Sequence, residues 1–232
     1  MRKLLHAVLA FVLTAPLAQA QPPEALDTEL AAVQAAWAAA NYATPAGEAR
    51  IQAFEALSKR AQALVEAFPA RPEPLIWQGI VLSTYAGAKG GLGALSFAKQ
   101  SRTALEAAMK LDPQALQGSA YTSLGTLYYK VPGFPIGFGN KSKAREYLQH
   151  ALAINPEGVD PNFFYGEFLF EQDDYGQALA HLQKALHAPP RPGRELADAG
   201  RRKEIEALIA RVQEKTGRAG RTAAAARSPA MR

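Results

Sequence analysis

The sequence NFFYGEFLFEQDDYGQALAHLQKALHAPP, residues 162–190, decides the fold. Its apolar and small residues recur every three or four positions, which places them on one face of each of two helices. Asp173 and Asp174 separate the two segments, and either can cap the start of the second helix. Pro190 stops that helix because proline cannot continue the backbone hydrogen bonds. The stretch therefore predicts two helices joined by a short turn.

The same pattern occurs twice upstream. The second helices end as ALEAAMKLDP, residues 104–113, and YLQHALAINP, residues 147–156. The first helices carry Gly79 and Gly125 at the position that Gly166 holds in the last copy. A glycine at this place allows a neighbouring helix to approach closely. Three related copies predict a helical repeat array rather than a fold with one central layer.

Composition and helix starts agree with a helical fold. The chain has 48 alanines, whereas valine and isoleucine together number 15. Alanine is the strongest helix former and β-branched residues favour strands, so we expect an all-α protein. Asn140 and Asp160 each precede a predicted helix and can cap it with a side-chain oxygen.

The three copies resemble the tetratricopeptide repeat, a helix–turn–helix unit of about 34 residues. The resemblance implies about three repeat pairs and a concave surface lined by the first helices. In the last copy the residues that match the repeat pattern are Gly166, Tyr175, Ala178, Leu182, Ala185 and Pro190.

Two copies are longer than the repeat. The added residues fall between the paired helices, in AGAKGGLGALSF at 86–97 and in KVPGFPIGFGNK at 130–141. Their glycines and prolines predict two non-helical loops. Long loops of this kind are either functional or surface elaborations, and the sequence leaves both interpretations open.

The first twenty residues have the three parts of a secretory signal peptide. Arg2 and Lys3 precede an apolar run from Leu4 to Leu17, and Ala18-Gln19-Ala20 forms a small-x-small cleavage site. The run is shorter than the roughly 20 residues that a spanning helix needs. We therefore expect cleavage, no stable membrane insertion afterwards, and a periplasmic or secreted protein without a lipid-modified cysteine.

The remaining chain divides by pattern into four parts. Residues 21–69 predict an N-terminal helical pair, 70–190 the repeats, and 191–216 a C-terminal capping helix ending before Gly217. Residues 217–232 form a basic tail without apolar periodicity, which predicts disorder.

Composition and motifs also exclude several functions. Without cysteine there is no disulfide framework and no thiolate chemistry. The net charge of +5 comes from the two ends of the chain, and the body lacks the basic surplus of a nucleic-acid surface. No zinc-binding histidine pattern, phosphate loop or dinucleotide fingerprint occurs. We expect a protein that is not an enzyme and has no cofactor and no metal.

The repeat resemblance implies which residues face the concave groove. They lie three before, one after and four after each repeat glycine: Ile76, Ile80, Ser83, Thr122, Thr126, Tyr129, Phe163, Glu167 and Phe170. An equal alternative is that terminal helices cover the groove and bury these residues. In the loop 131–139, Phe134 and Phe138 either form a small core or face a ligand or partner. After the loop, Lys141, Lys143 and Arg145 either attract an anionic group or are solvated.

Residues 90–202 also resemble the periplasmic T-component proteins of tripartite ATP-independent periplasmic (TRAP) transporters. The stretches that carry this resemblance include GGLGAL, GSAYTSLGTLYYKVPGFP and APPRPGRELADAGRR. It implies a helical repeat protein that works with a solute-binding protein and offers a pocket to an apolar ligand. Many members carry a lipid-modified cysteine, which this chain lacks.

Two functions follow from these observations. The first is a periplasmic scaffold that binds another protein through the aromatic-lined groove and the 131–139 loop. The second is an accessory protein of a TRAP-type transport system that binds a small apolar ligand. The sequence also leaves a homo-oligomer open.

Overall fold

The computed structural model describes residues 23–227, so the predicted signal peptide and the last five residues of the tail lie outside it. The described residues form helices and no β-strand, which confirms the all-α prediction. The elements are α1 (Pro23–Ala38), a π-helical turn (Ala39–Ala43), α2 (Glu48–Ala67), α3 (Pro72–Lys89), α4 (Gly91–Leu111), α5 (Ala115–Lys130), α6 (Lys141–Ile154), α7 (Val159–Glu171), α8 (Tyr175–Leu186) and α9 (Glu195–Arg227).

Helices α3 and α4, α5 and α6, and α7 and α8 form three antiparallel pairs of the same construction. In each pair the first-helix glycine faces a fully buried leucine of the second helix. A Cβ added at Gly79 would lie 2.5 Å from Leu105 Cγ, and one added at Gly125 would lie 2.6 Å from Leu148 Cγ. The space for the leucine exists only because the glycine has no side chain.

The first predicted loop is wrong. Residues 86–97 are almost entirely helical, because α3 continues to Lys89 and α4 begins at Gly91. The chain turns within Gly90, whose φ of +62° is readily adopted only by glycine. The extra residues therefore lengthen both helices to 18 and 21 residues instead of forming a loop. Tyr85 and Phe97 pack together across the extension, with ring centroids 4.3 Å apart.

The second predicted loop is confirmed, since α5 ends at Lys130 and α6 begins at Lys141. Asn140 caps α6 as predicted, with its side chain accepting a hydrogen bond from the Lys143 amide at 2.9 Å. Asp174 caps α8 in the same way through the Gln177 amide.

Two helix ends differ from the expectation drawn from the sequence. Asp160 does not cap α7, because Gly158 holds the cap position and Asp160 lies inside the first turn, where it binds two arginines. The final helix α9 runs to Arg227 and does not end before Gly217. Residues 217–227, predicted as part of a disordered tail, are therefore helical, because the alanines and arginines around Gly217 and Gly220 are strong helix formers.

The two ends of the described chain meet. Helix α9 packs against α8 and also contacts α1 and the π-helical turn. Gly200 lies against the ring of Tyr42, whose hydroxyl donates a hydrogen bond to Glu204 at 3.2 Å. One apolar cluster joins the repeats to α9, and a second joins α1, α2 and α3. None of the described helices has both the length and the apolar character needed to cross a membrane.

Substitution of Gly125 by alanine tests the packing inside the repeat pair. The added methyl group would meet Leu148 Cγ at 2.6 Å and the Ala144 carbonyl oxygen at 3.2 Å. We expect the free energy of unfolding to fall by about 1–3 kcal/mol, as overpacked cores do. Urea denaturation followed by circular dichroism measures the change.

The matched control is Gly87→Ala, also inside a first helix but with nothing within 4 Å of the added carbon. Helix propensity predicts that this variant is unchanged or more stable by about 0.5–1 kcal/mol. Equal destabilisation of both variants would contradict the close glycine–leucine contact.

Candidate binding groove

A groove of about 600 Å³ lies on the face formed by the first helices. It is bounded by α1, α3, α5, the start of α7 and the connection between α8 and α9. Its apolar walls come from Trp37, Trp77, Ile80 and Phe164. Hydroxyl and amide side chains line the floor, and Asp160, Arg191, Arg194 and Arg201 lie at one end. Apolar walls with a few convergent polar groups are typical of binding sites.

Four of the predicted groove residues line this groove. Ile80 and Ser83 face it from α3, and Thr122 and Thr126 face it from α5. The Thr126 hydroxyl donates to the Thr122 carbonyl at 2.9 Å, and the Ser83 hydroxyl donates to the Ile80 carbonyl at 2.9 Å. Each hydroxyl keeps acceptor lone pairs for a ligand because its own proton is already used.

Three others are core residues and not groove residues. Ile76 is fully buried, Phe163 is 6% exposed and Phe170 is 8% exposed. The prediction that they line the open groove is wrong. Ile76 packs in the core of the repeats, whereas α9 covers Phe163 and Phe170, as in the alternative that terminal helices bury such residues. The guanidinium of Arg201 lies 4.4 Å from the ring centre of Phe163, and that of Arg211 lies 4.6 Å from Phe170.

Tyr129 and Glu167 contact each other and do not line the groove. The Tyr129 hydroxyl donates to Glu167 Oε2 at 2.6 Å, and Lys130 Nζ binds Glu167 Oε1 at 2.9 Å and Glu171 Oε1 at 2.6 Å. Burial and the negative charge of Glu167 raise the pKa of Tyr129 well above its usual value. This cluster links α5 to α7 and stabilises the stacking of two repeats.

The two phenylalanines of the loop 131–139 lie in different environments. Phe138 packs on Tyr128 with ring centroids 5.6 Å apart, and the guanidinium of Arg102 lies 4.4 Å from its ring centre. Phe134, in contrast, is 94% exposed, and Ile136 is 67% exposed. The small-core alternative therefore holds for Phe138, whereas Phe134 is exposed and its contact with a ligand or partner stays a prediction.

The positive residues after the loop do not extend the groove. Lys141 and Arg145 border a separate depression of about 550 Å³ on the outer face, with Glu146 and His150. A mixed charge pattern of this kind is typical of a solvated surface.

Two tryptophans, Trp37 of the N-terminal unit and Trp77 of α3, line the groove although the sequence did not assign them to a site. Trp37 Nε1 donates to Thr84 Oγ1 at 3.0 Å, and the Trp37 and Trp77 rings lie 6.2 Å apart, edge to face. The only available signal was that Trp37 lies on the apolar stripe of the first predicted helix. Its position in the groove depends on how α1 packs on α3, which no periodicity encodes.

A network of charged residues fixes the other end of the groove. Asp160 binds Arg191 Nη1 at 2.6 Å and Arg201 Nε at 3.0 Å. Arg191 also binds Asp198 at 2.6 Å, and Arg201 binds Glu204 at 2.6 Å. Burial favours a higher pKa for Asp160, but the charges of Arg201 and Arg191 outweigh it and lower the pKa from 3.8 to about 2. The network joins α7, the connection after α8 and the start of α9.

The tyrosine of the N-terminal unit extends this network. Burial raises the pKa of Tyr42 to about 12, with Arg201 opposing the shift and Glu204 adding to it. Tyr42 is thus a neutral hydrogen-bond donor that connects the π-helical turn to α9.

The structure brings together no evident catalytic or metal-binding group in residues 23–227. No three histidine or carboxylate side chains among them are placed to hold a metal ion. His181 is partly buried, with Nδ1 3.0 Å from Asn162 Oδ1, and burial lowers its pKa. It packs on Tyr165 and lies outside the groove lining.

Comparison with known proteins agrees with this architecture. Residues 137–203, from the end of the loop to the start of α9, match the family model of the tetratricopeptide repeat. This part of the chain is similar to the tetratricopeptide repeat. No curated protein matches the sequence.

Solved structures extend the similarity over most of the chain. A thermophilic tetratricopeptide repeat protein of Thermus thermophilus is 15% identical, with a TM-score of 0.53 over 81% of this chain and 98% of its own. The crystal structure of MamA is 18% identical, covers 73% of this chain and 92% of its own, and has a TM-score of 0.42. The first of these similarities shows that the two proteins share the helical repeat fold.

Replacement of Asp160 by asparagine tests the charged network. The change removes the negative charge that Arg191 and Arg201 share, leaving Arg201, which is 9% exposed, with Glu204 alone, and we expect the free energy of unfolding to fall by about 2 kcal/mol at neutral pH. A carboxylate whose pKa is lower in the folded state stabilises the fold above its unfolded pKa and loses this contribution as the pH falls through the folded value. The difference between wild type and D160N should therefore be constant above pH 3.8 and vanish near pH 2.

Thermal unfolding followed by circular dichroism between pH 6 and pH 2 measures this dependence. Glu157→Gln is the control, since Glu157 binds Lys184 at 2.8 Å but is 73% exposed, and exposed pairs contribute little. If D160N and E157Q behaved alike, the network would not stabilise the fold.

The loop gives a second, independent test. Phe138→Ala should reduce the free energy of unfolding by about 1–2 kcal/mol, because it removes contacts with Tyr128 and Arg102. Phe134→Ala should change it by less than about 0.5 kcal/mol, because the ring is exposed. Chemical denaturation compares the two variants, and a large effect at Phe134 would show that this ring has a partner within the same chain.

Proposed function

We propose that this protein is a periplasmic binding scaffold whose groove holds a segment of a partner protein. The observation that carries the proposal is the groove itself, with tryptophan walls, a hydroxyl-lined floor and a charged end. Stacked helical repeats build surfaces of this kind, and aromatic anchors supply most of the binding energy at protein interfaces. The repeat family supports binding rather than catalysis.

The 131–139 loop supports a second point of contact with the partner. Phe134 and Ile136 are exposed on a loop held by backbone hydrogen bonds from Ile136 and Gly137 to the Gly133 carbonyl. Large exposed apolar side chains on a shaped loop are a feature of interaction sites. The loop is thus proposed to fix the partner's orientation while the groove binds its extended segment.

The periplasmic location rests on the signal sequence. Expression of the full chain in a Gram-negative host should yield a mature protein that begins at Gln21, recovered in the periplasmic fraction. Intact-mass measurement of the purified protein locates this end directly, and an uncleaved chain in the cytoplasmic fraction would contradict the proposed location.

The second candidate is an accessory protein of a TRAP-type system that binds a small apolar ligand. The observation that favours it is the groove volume, since about 600 Å³ lies within the usual range of small-molecule pockets. A ligand of this kind raises the melting temperature and is displaced by organic extraction. Native mass spectrometry of protein purified gently from periplasm distinguishes the two: a small bound mass favours the accessory protein, and a bound polypeptide favours the scaffold.

A photo-crosslinking amino acid placed in the groove tests the scaffold. Ser123 lines the groove from α5, and Thr103 is exposed on α4, outside the groove lining. With the crosslinker at Ser123 in living cells, we expect one covalent adduct to a second polypeptide, because the partner segment lies within reach of the side chain. With the crosslinker at Thr103, we expect none.

Mass spectrometry of the adduct identifies the partner and separates it from a second copy of this chain. Equal labelling from Ser123 and Thr103, or no labelling from either, would reject the groove as a protein-binding site.

A further inference from the structure

Arg194 differs from every other charged residue that lines the groove. Asp160, Arg191 and Arg201 are bound to one another, and Glu157 binds Lys184 at 2.8 Å. In residues 23–227, the structure gives the Arg194 guanidinium no ion pair and no hydrogen bond, and its Nε is buried without a partner. The groove therefore contains one guanidinium that no carboxylate of the described residues contacts directly.

The side chain is held in place without being satisfied. Its guanidinium lies 5.1 Å from the centre of the Trp77 ring, which positions the group by a cation–π contact. That contact uses none of the five N–H donors of the fork. Burial and the neighbouring charge of Arg191 lower the pKa of Arg194, and the charges of Asp160 and Asp198 oppose this shift. The buried Nε without a hydrogen-bond partner costs free energy that an acceptor on a ligand would recover.

We propose that Arg194 binds a carboxylate of an acidic peptide segment whose apolar neighbours lie on Trp37 and Trp77. This inference rests on the proposed function, because it names the chemistry of the partner segment in the same groove. A guanidinium and a carboxylate form two parallel hydrogen bonds, which adds orientation to the attraction.

The contacts already made within the groove favour a carboxylate as the partner of Arg194. The acids nearby are occupied, because Asp160 already binds two arginines and Asp198 binds Arg191. The unpaired guanidinium of Arg194 can bind one carboxylate through two parallel hydrogen bonds, whereas a phosphate has a third acceptor oxygen and would call for further donors.

The hydroxyl groups that line the groove favour a peptide as the ligand that contains this carboxylate. The hydroxyls of Ser83 and Thr126 donate to carbonyls of their own helices, so towards the groove they act as acceptors. A peptide backbone supplies N–H donors at regular spacing, whereas a small organic acid offers few.

Two fluorescent peptide pools test the proposal. Both consist of short, C-terminally amidated peptides randomised over Ala, Leu, Phe and Ser, with Asp at one central position in the first pool and Asn in the second. Fluorescence anisotropy with the full mature chain should show at least about tenfold tighter binding of the Asp pool. Arg194→Met should lower the binding affinity for the Asp pool to that for the Asn pool. Lys203→Gln, which removes an exposed cation of α9, should change neither.

The melting temperature distinguishes a ligand-binding role of Arg194 from a structural role, because the two roles predict shifts of opposite sign when the charge is removed. Arg194→Met keeps an unbranched stem against Trp77 and removes the unpaired charge. We therefore expect the melting temperature of the ligand-free protein to rise by about 2–4 °C. Arg194→Lys retains the charge without the fork and should recover only part of the Asp-pool binding. A lower melting temperature for R194M would mean that Arg194 supports the fold, and would overturn the proposal.

The remaining outcomes separate the inference from the proposed function. Equal binding of both pools, or binding unaffected by R194M, would overturn the carboxylate contact while leaving a peptide-binding groove. Binding of labelled phenylpropionate but of neither pool would overturn the peptide and favour a small acid. If neither pool bound but the Ser123 crosslinker still captured a protein, the inference alone would fail. If neither pool bound and that crosslinker also captured nothing, both this inference and the proposed function would fail.

Discussion

The contact between a first-helix glycine and a buried second-helix leucine sets the geometry of each repeat pair. Because Gly125 has no side chain, Leu148 fits against the backbone of α5, and the same holds for Gly79 with Leu105. Close pairing of this kind leaves the opposite side of each first helix free to face its neighbours. Three pairs built to one plan therefore place α3, α5 and α7 along one face, and the groove is a consequence of that arrangement.

The Asp160 network turns this open face into a bounded groove. A repeat array without caps would expose Phe163 and Phe170 at its end, but α9 lies across them. The ion pairs of Asp160 with Arg201 of α9 and with Arg191 of the preceding connection hold α9 against α7, together with the buried apolar side chains of α9. The proposed binding site thus depends on a polar network that lies at its edge.

Stability and function make opposite demands at that edge. The arginines bound to Asp160 are satisfied within the protein, whereas Arg194, in the same connection, is not. Unpaired buried groups are rare in folded proteins and need an explanation from outside the fold itself. Placed beside Trp77 and the acceptor hydroxyls of α3 and α5, the group becomes a polar anchor in an otherwise apolar wall.

Local regularities of the sequence determined the helices, the three repeat copies, the Asn140 and Asp174 caps and the 131–139 loop, because periodicity, capping and proline act within a few residues. The helical structure of residues 86–97 was not predicted, because Gly90 alone makes the turn and Gly91 begins the next helix. Of the predicted groove residues, four line it: Ile80, Ser83, Thr122 and Thr126. The roles of Trp37, Arg194 and Phe170 were decided by tertiary structure, since they depend on helices distant in sequence that pack over the ends of the array.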